Sequence, residues 1–265
     1  MSPLLLLKAT LAPALVGAAS LAGRRFGPRV AGWLMGFPVV AGPMFWFYAR
    51  EQGSGFAARA AVGTILGVLS LCVFLLVYAW SALRLAWPAC LLLGWAAWAL
   101  VTAGLTRLPG GLLWPGPLVA ACAALAITLR ALPRGLVSRS SPRPRHDLAL
   151  RMVATAVLVV SLTTVARALG PGLSGLLTPF PVATTVLVVF AHRQGGAGGV
   201  TAVCQGFIPS LYSFACFCAA LAVSLPRLSL AGAYAVALAV TTACQAIVLR
   251  VLSTASIPRT DRPAR

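Results

Sequence analysis

Acidic residues are almost absent from this chain of 265 residues, which has three Asp and Glu against 21 Lys and Arg. Only 9% of the residues are charged, whereas a soluble domain carries about 25%. So few charged side chains cannot cover a domain of this size in water. The scarcity of carboxylates, together with only two histidines, also leaves few groups for acid–base catalysis or metal binding.

The motifs of common catalytic and nucleotide-binding sites are missing as well. No Ser-His-Asp, paired-carboxylate, His-Glu-x-x-His, Walker or Gly-x-Gly-x-x-Gly arrangement occurs in a workable context, and the glycine run at 195–199 is interpreted as a turn. The seven cysteines lie in apolar segments without Cys-x-x-Cys spacing, which favours small buried thiols over a zinc site or a disulfide framework. We therefore expect no enzymatic activity, no metal and no cofactor.

Long apolar runs dominate the sequence instead. Hydrophobic residues make up 60% of the chain, and the mean hydropathy is +0.94. Runs near 20 residues, separated by short basic or Gly/Pro-rich breaks, predict an all-α polytopic membrane protein, and the period-2 alternation of an outer-membrane barrel is not seen. The nine predicted spans are 3–22, 30–48, 57–80, 85–105, 111–132, 148–166, 173–192, 200–225 and 228–251.

The net charge of +18 raises the alternative of nucleic-acid binding. Most basic residues, however, lie at the ends of apolar runs, where they act as topology signals. If the long basic loop at 133–147 is cytoplasmic, 15 of the 21 basic residues fall on the cytoplasmic side. This bias predicts the inner membrane, with the N-terminus outside and the C-terminus in the cytoplasm, and the lipid bilayer in place of nucleic acid as the partner.

The chain contains an internal repeat. A shift of 143 residues places 8–101 on 151–244 without a gap, and the two segments are called here the first and the second unit. Matches at glycine, proline and arginine are harder to obtain by composition than aliphatic matches. The aligned pairs include Gly32 with Gly175, Phe37 with Phe180, Pro38 with Pro181, Arg50 with Arg193, Gly53 with Gly196, Gly63 with Gly206, and Lys8 with Arg151.

The repeat predicts how the chain is organised in the membrane. Each unit crosses four times, and the linking helix then carries the chain to the other side, so the two units are expected to be inverted relative to each other. The predicted organisation is a first repeat at 1–106, a linking helix and basic loop at 107–147, a second repeat at 148–251 and a basic tail at 252–265.

Two prolines fall deep within the apolar spans. Pro38 and Pro181 lie about midway through the second and seventh spans, where a proline kinks or breaks a helix. Broken helices at corresponding positions of inverted halves are typical of a transporter site at the membrane midplane. The alternative is that these prolines only set packing angles.

The repeated unit resembles the GlpM family of small bacterial inner-membrane proteins. The resemblance is carried by a basic residue in the first helix, then Gly-[Leu/Trp]-Leu-x-x-Phe-Pro, then about ten apolar residues before an Arg that shortly precedes a Gly, and a long apolar helix. It covers 8–105 and 151–248 and implies two fused four-helix units and an association with exopolysaccharide production. The family's histidine after Phe-Pro is absent here. The motif residues present are Phe37, Pro38, Arg50, Gly53, Phe180, Pro181, Arg193 and Gly196.

The sequence leaves two functions open. The leading hypothesis is a carrier of a small molecule, lipid or glycan that is at most weakly coupled, because no acidic residue is expected within a span. The alternative is a non-transporting accessory or scaffold protein, in an envelope-biosynthesis complex or as a homo-oligomer. Basic side chains within spans either snorkel to the headgroups or face inward and bind an anionic group, such as a lipid-linked phosphate. The candidate binding residues are Lys8, Phe37, Pro38, Arg151, Phe180, Pro181, Gln205 and Tyr212.

Overall fold

The computed structural model describes residues 3–107, 115–137, 147–168 and 181–254, which form helices and no strand. The all-α class expected from the sequence is confirmed for this part of the chain. The helices in chain order are α1 (Pro3–Phe26), α2 (Pro28–Met35), α3 (Ala41–Gln52), α4 (Ser54–Ser81), α5 (Trp87–Leu105), α6 (Gly116–Ala131), α7 (Asp147–Ala168), α8 (Val182–Ser224) and α9 (Leu230–Thr254).

Four helices in the described ranges are long and apolar enough to cross a membrane: α4, α5, α8 and the part of α9 from Leu230 to Arg250. Helix α6 is apolar but shorter, with 16 residues. A multi-pass membrane protein fits this arrangement, since about 20 apolar residues are needed to span the hydrocarbon core. The count of nine crossings stays a prediction.

The predicted span 30–48 is divided into two short helices. Helix α2 has 8 residues and α3 has 12, so they rise about 12 and 18 Å, against about 30 Å for a bilayer core. Pro38 lies in the break between them, where its ring and its missing N–H prevent a continuous helix. Its carbonyl oxygen accepts a hydrogen bond from the Gly42 N–H at 2.7 Å, which starts α3.

The predicted gap between the seventh and eighth spans is also different in the structure. Helix α8 continues through it from Val182 to Ser224 and is kinked at Gly196, where φ is 61° and ψ is −155°. Gly53 has a similar conformation between α3 and α4, with φ 88° and ψ 160°. Glycine alone adopts this region readily, so both glycines permit a turn that another residue would strain.

Helix α8 is the centre of the fold. It packs against α2, α4, α6 and α9, while α1 packs against α7. In its most apolar stretch 61% of the residues are buried, against 22% in α5 and in α9. The large buried side chains around it include Phe74, Tyr78, Leu125 and Phe217.

Helices α2 and α8 meet backbone to backbone through glycine. A Cβ atom on Gly206 would overlap the carbonyl oxygen of Arg29, and one on Gly32 would lie 2.7 Å from the Phe207 nitrogen. Small residues permit such an approach in membrane helices, where packing replaces the hydrophobic effect. This contact fixes α2, in the first unit, against α8 in the second.

Gly206→Ala tests the close approach, and Gly63→Ala is its matched control. We expect Gly206→Ala to lower the free energy of unfolding by about 1–3 kcal/mol, because two backbones must separate to admit a methyl group. Gly63 is the aligned glycine of the first unit, and no described residue lies within 4 Å of a Cβ placed there. Thermal unfolding in detergent measures both, and equal effects of the two substitutions would contradict the proposed packing.

Candidate functional site

A buried charged cluster lies where α7 meets α8. Asp147 is the first residue of α7, and Arg151 lies one turn later. The Arg151 Nε donates to Asp147 Oδ2 at 3.1 Å, and an Arg151 terminal nitrogen donates to Gln194 Oε1 at 2.9 Å. Gln194 Nε2 donates in turn to Asp147 Oδ1 at 2.6 Å, which closes a ring of three side chains. Asp147 is 4% exposed and Arg151 is 7% exposed, so the ion pair is held inside the protein.

A second guanidinium joins the cluster from α1. Arg24 donates to Asp147 Oδ2 at 3.5 Å, and its side chain is 33% exposed. Two cations therefore share one carboxylate, which leaves an excess of one positive charge among these residues. The guanidinium of Arg151 also lies 4.8 Å from the centre of the Phe190 ring, a favourable cation–π distance.

A cavity of about 60 Å³ adjoins the charged cluster. It is bounded by α1, α2, α7 and α8 and is called here the junction cavity. Its polar lining comes from Ser20, Arg24, Asp147, Arg151 and Gln194. The hydroxyl of Ser20 is buried and has no hydrogen-bond partner among the described residues. The space corresponds to about two water molecules.

The structure corrects two expectations about these residues. Asp147 was expected in the basic loop outside any span, but it is buried as the first residue of α7. The argument from an absent buried carboxylate against proton coupling therefore loses its basis. Arg151 does not snorkel: it is buried and bonded to Asp147 and Gln194. The signal in the sequence was the Asp-x-x-x-Arg spacing, which places an acid and a base on one helix face.

The other candidates lie apart from the junction cavity. Gln205 accepts a hydrogen bond from Arg29 Nε at 3.1 Å, and the Tyr212 hydroxyl donates to the Cys122 carbonyl at 3.2 Å, between α8 and α6. Phe37 packs its ring edge-on against Trp33, with ring centres 5.4 Å apart. Of the predicted residues, Arg151 alone is among those that line this cavity.

The remaining candidates are only partly covered by the structure. Pro181 is the residue before α8 and accepts a hydrogen bond from the Thr185 N–H at 2.8 Å. Phe180 lies outside the described residues. Lys8 belongs to α1, and its side chain is outside the described part.

A second buried polar contact joins α8 to α9 and α2. Gln245, 1% exposed, accepts a hydrogen bond from the Ser213 hydroxyl at 2.9 Å. Its amide nitrogen donates to the Trp33 carbonyl at 3.1 Å. These bonds satisfy a polar side chain that would otherwise be costly inside a membrane protein.

Comparison with protein-family models, curated proteins and solved structures finds no match for this chain. The resemblance to the GlpM family therefore stays a prediction from the sequence. Within the described ranges, no group of three or more His, Cys, Asp or Glu side chains could hold a metal ion. The site must be interpreted from its own geometry.

Arg151→Met tests the buried ion pair. We expect it to lower the free energy of unfolding by about 3–5 kcal/mol, because Asp147 loses its buried partner. The double variant Asp147→Leu/Arg151→Met removes both charges and should lose less stability than the single variant. Thermal unfolding in detergent would compare the two, and a double variant less stable than Arg151→Met would contradict this energetic account.

Proposed function

We propose that the protein is an inner-membrane carrier built from two inverted four-helix units, with its working site at the junction between them. The observation that carries the proposal is the buried charged cluster beside the junction cavity. Helices α1 and α2 of the first unit and α7 and α8 of the second bound this cavity. Charged side chains inside membrane proteins are costly, and they are usually retained at sites that bind or move ions and substrates.

Two hydrogen bonds at equivalent positions support the duplication. Thr102 donates to Ser70 at 2.9 Å, and Ser213 donates to Gln245 at 2.9 Å. Ser70 and Ser213 differ by 143 residues, as do Thr102 and Gln245, so the two bonds join the same pair of helices in each unit. The side chains differ between the units, but the location of the buried polar contact is the same.

Contacts between the units follow the same offset. Tyr234 on α9 donates to the carbonyl of Gly42, and Trp95 on α5 donates to the hydroxyl of Thr185. Gly42 and Thr185 are aligned positions, so the fourth helix of each unit contacts the same place in the other. The aligned hydrogen bonds at the carbonyls of Pro38 and Pro181 add to this agreement. Reciprocal contacts of this kind support a pseudo-twofold relation between the units.

The charge of the site indicates the kind of substrate. Arg24 and Arg151 together exceed the single negative charge of Asp147, which favours a small solute or lipid-linked group that carries an anion. The alternative of an accessory or scaffold protein is better suited to a dry centre filled by aliphatic side chains. The buried ion pair and the adjoining cavity favour the carrier.

Inverted topology is tested by labelling two aligned, exposed arginines, Arg50 and Arg193, after replacing each by cysteine in a chain without its native cysteines. In sealed vesicles of known orientation, a membrane-impermeant maleimide should modify Arg50→Cys from the outer face and Arg193→Cys from the cytoplasmic face. Labelling of both positions from one face would exclude inverted units.

Transport is tested in proteoliposomes with labelled inorganic phosphate, glycerol 3-phosphate and a fluorescent phosphatidylglycerol. We expect flux of at least one probe above that of empty liposomes, and a loss of about tenfold or more in Arg151→Gln. Replacing Phe37-Pro38 or Phe180-Pro181 by alanines should reduce flux to a similar extent if the two units share one site.

The control for flux is Arg59→Gln, which removes an exposed arginine on α4 outside the cavity. Protein amount and thermal stability are measured for every variant. Flux of none of the three probes, or unequal loss from the two Phe-Pro replacements at matched stability, would count against the carrier with a shared site.

A further inference from the structure

We propose that the junction cavity binds a phosphate or carboxylate group and that the carboxylate of Asp147 is an internal competitor for the same donors. The inference rests on the proposed function for the choice of the junction as the working site. It goes beyond that function in naming the recognised group and the residue that opposes its binding.

The donors around Asp147 are those that an anionic ligand uses. Its carboxylate accepts hydrogen bonds from Arg24, Arg151 and Gln194. Guanidinium groups present several N–H donors in a planar fork that suits carboxylate and phosphate oxygens. The side chain of Asp147 therefore occupies one anionic position in a basic environment that has one cation in excess.

The cavity supplies space and a further donor beside this position. The Ser20 hydroxyl is 5% exposed and lacks a hydrogen-bond partner among the described residues, although a buried hydroxyl normally has one. A group bound in the cavity would accept that hydrogen bond and approach Arg24 and Arg151 from the side opposite to Asp147. The volume of about 60 Å³ suits one such group and excludes a whole large metabolite.

Access to the cavity runs past Arg24, whose side chain is one-third exposed. Arg24 is near the C-terminal end of α1, in the Arg24-Arg25 pair that closes this helix. An anionic group can reach this position either on a soluble molecule or as the headgroup of an acidic phospholipid. The two sources share the chemistry that the site recognises, and an experiment can separate them.

Competition predicts effects of opposite sign for two neighbouring residues. Asp147→Asn keeps the size of the side chain, removes its charge and releases two guanidinium groups from a bound carboxylate. It should therefore bind an external anion more tightly than the native protein. Arg151→Gln removes a donor and a charge and should bind it more weakly. A purely structural ion pair predicts no gain of affinity in Asp147→Asn.

The experiment titrates the purified full chain in detergent with inorganic phosphate, at constant ionic strength maintained with sodium chloride. Isothermal calorimetry and the thermal unfolding midpoint report binding. We expect the dissociation constant to fall about tenfold in Asp147→Asn, to rise about tenfold in Arg151→Gln and to stay unchanged in Arg59→Gln. Equal or weaker binding by folded Asp147→Asn would overturn the competition.

Ser20→Ala keeps the test decisive if Asp147→Asn does not fold. This substitution removes one buried hydroxyl that has no described partner, so the native fold is expected to persist with little loss of stability. Phosphate binding should weaken severalfold because a donor in the cavity is lost. Binding by Ser20→Ala that equals that of the native protein would exclude the cavity as the site.

The source of the anionic group is separated by native mass spectrometry of protein purified from membranes that contain phosphatidylglycerol. A phospholipid bound by the native chain and lost in Arg151→Gln, without binding of free phosphate, identifies a headgroup site. Phosphate binding without a change in bound lipid identifies a soluble anion. If the native chain retains neither, the site is refuted.

Failure of this inference differs from failure of the carrier. Phosphate binding with the expected signs, but without flux in proteoliposomes, would refute transport and leave the anion site in place. Flux that persists unchanged in Ser20→Ala, together with unaltered phosphate affinity in Asp147→Asn, would refute the anion site and leave transport in place.

Discussion

The close contact between α2 and α8 is the constraint on which the rest of the structure depends. Gly32 and Gly206 have no side chains, and their backbones approach to a distance that any Cβ atom would obstruct. This approach holds the start of α2 beside Val203 and completes one wall of the junction cavity. In a membrane, where lipid is as apolar as the helices themselves, such close packing is the main source of helix association.

The buried ion pair has a different relation to stability. Transferring Asp147 and Arg151 from water costs several kcal/mol for each ion, and their attraction offsets this cost only if hydrogen bonds satisfy the remaining atoms. Gln194 supplies two such bonds. A hydrophobic pair could hold α7 and α8 together at similar stability, so the charges are better explained by recognition of a ligand than by folding.

Breaks in the helices connect the fold to the proposed mechanism. Pro38 separates α2 from α3, and Gly53 and Gly196 turn the chain without a long loop. The carbonyl groups freed by such breaks still need partners away from water, and the structure supplies one at Pro38 and one at Pro181. Helices that are interrupted but fully bonded can pack at new angles around a shared site.

Local patterns determined a large part of this protein. Hydropathy predicted the helical membrane class, Pro38 marked the division of the second span, and the offset of 143 residues located the turns at Gly53 and Gly196. The cavity was not predictable in this way, because Asp147 is buried by Arg24 and Gln194, which are 123 and 47 residues away. Hydropathy and spacing describe the chain near each residue. Burial of a charge depends on which distant side chains surround it, and only the tertiary structure decides that.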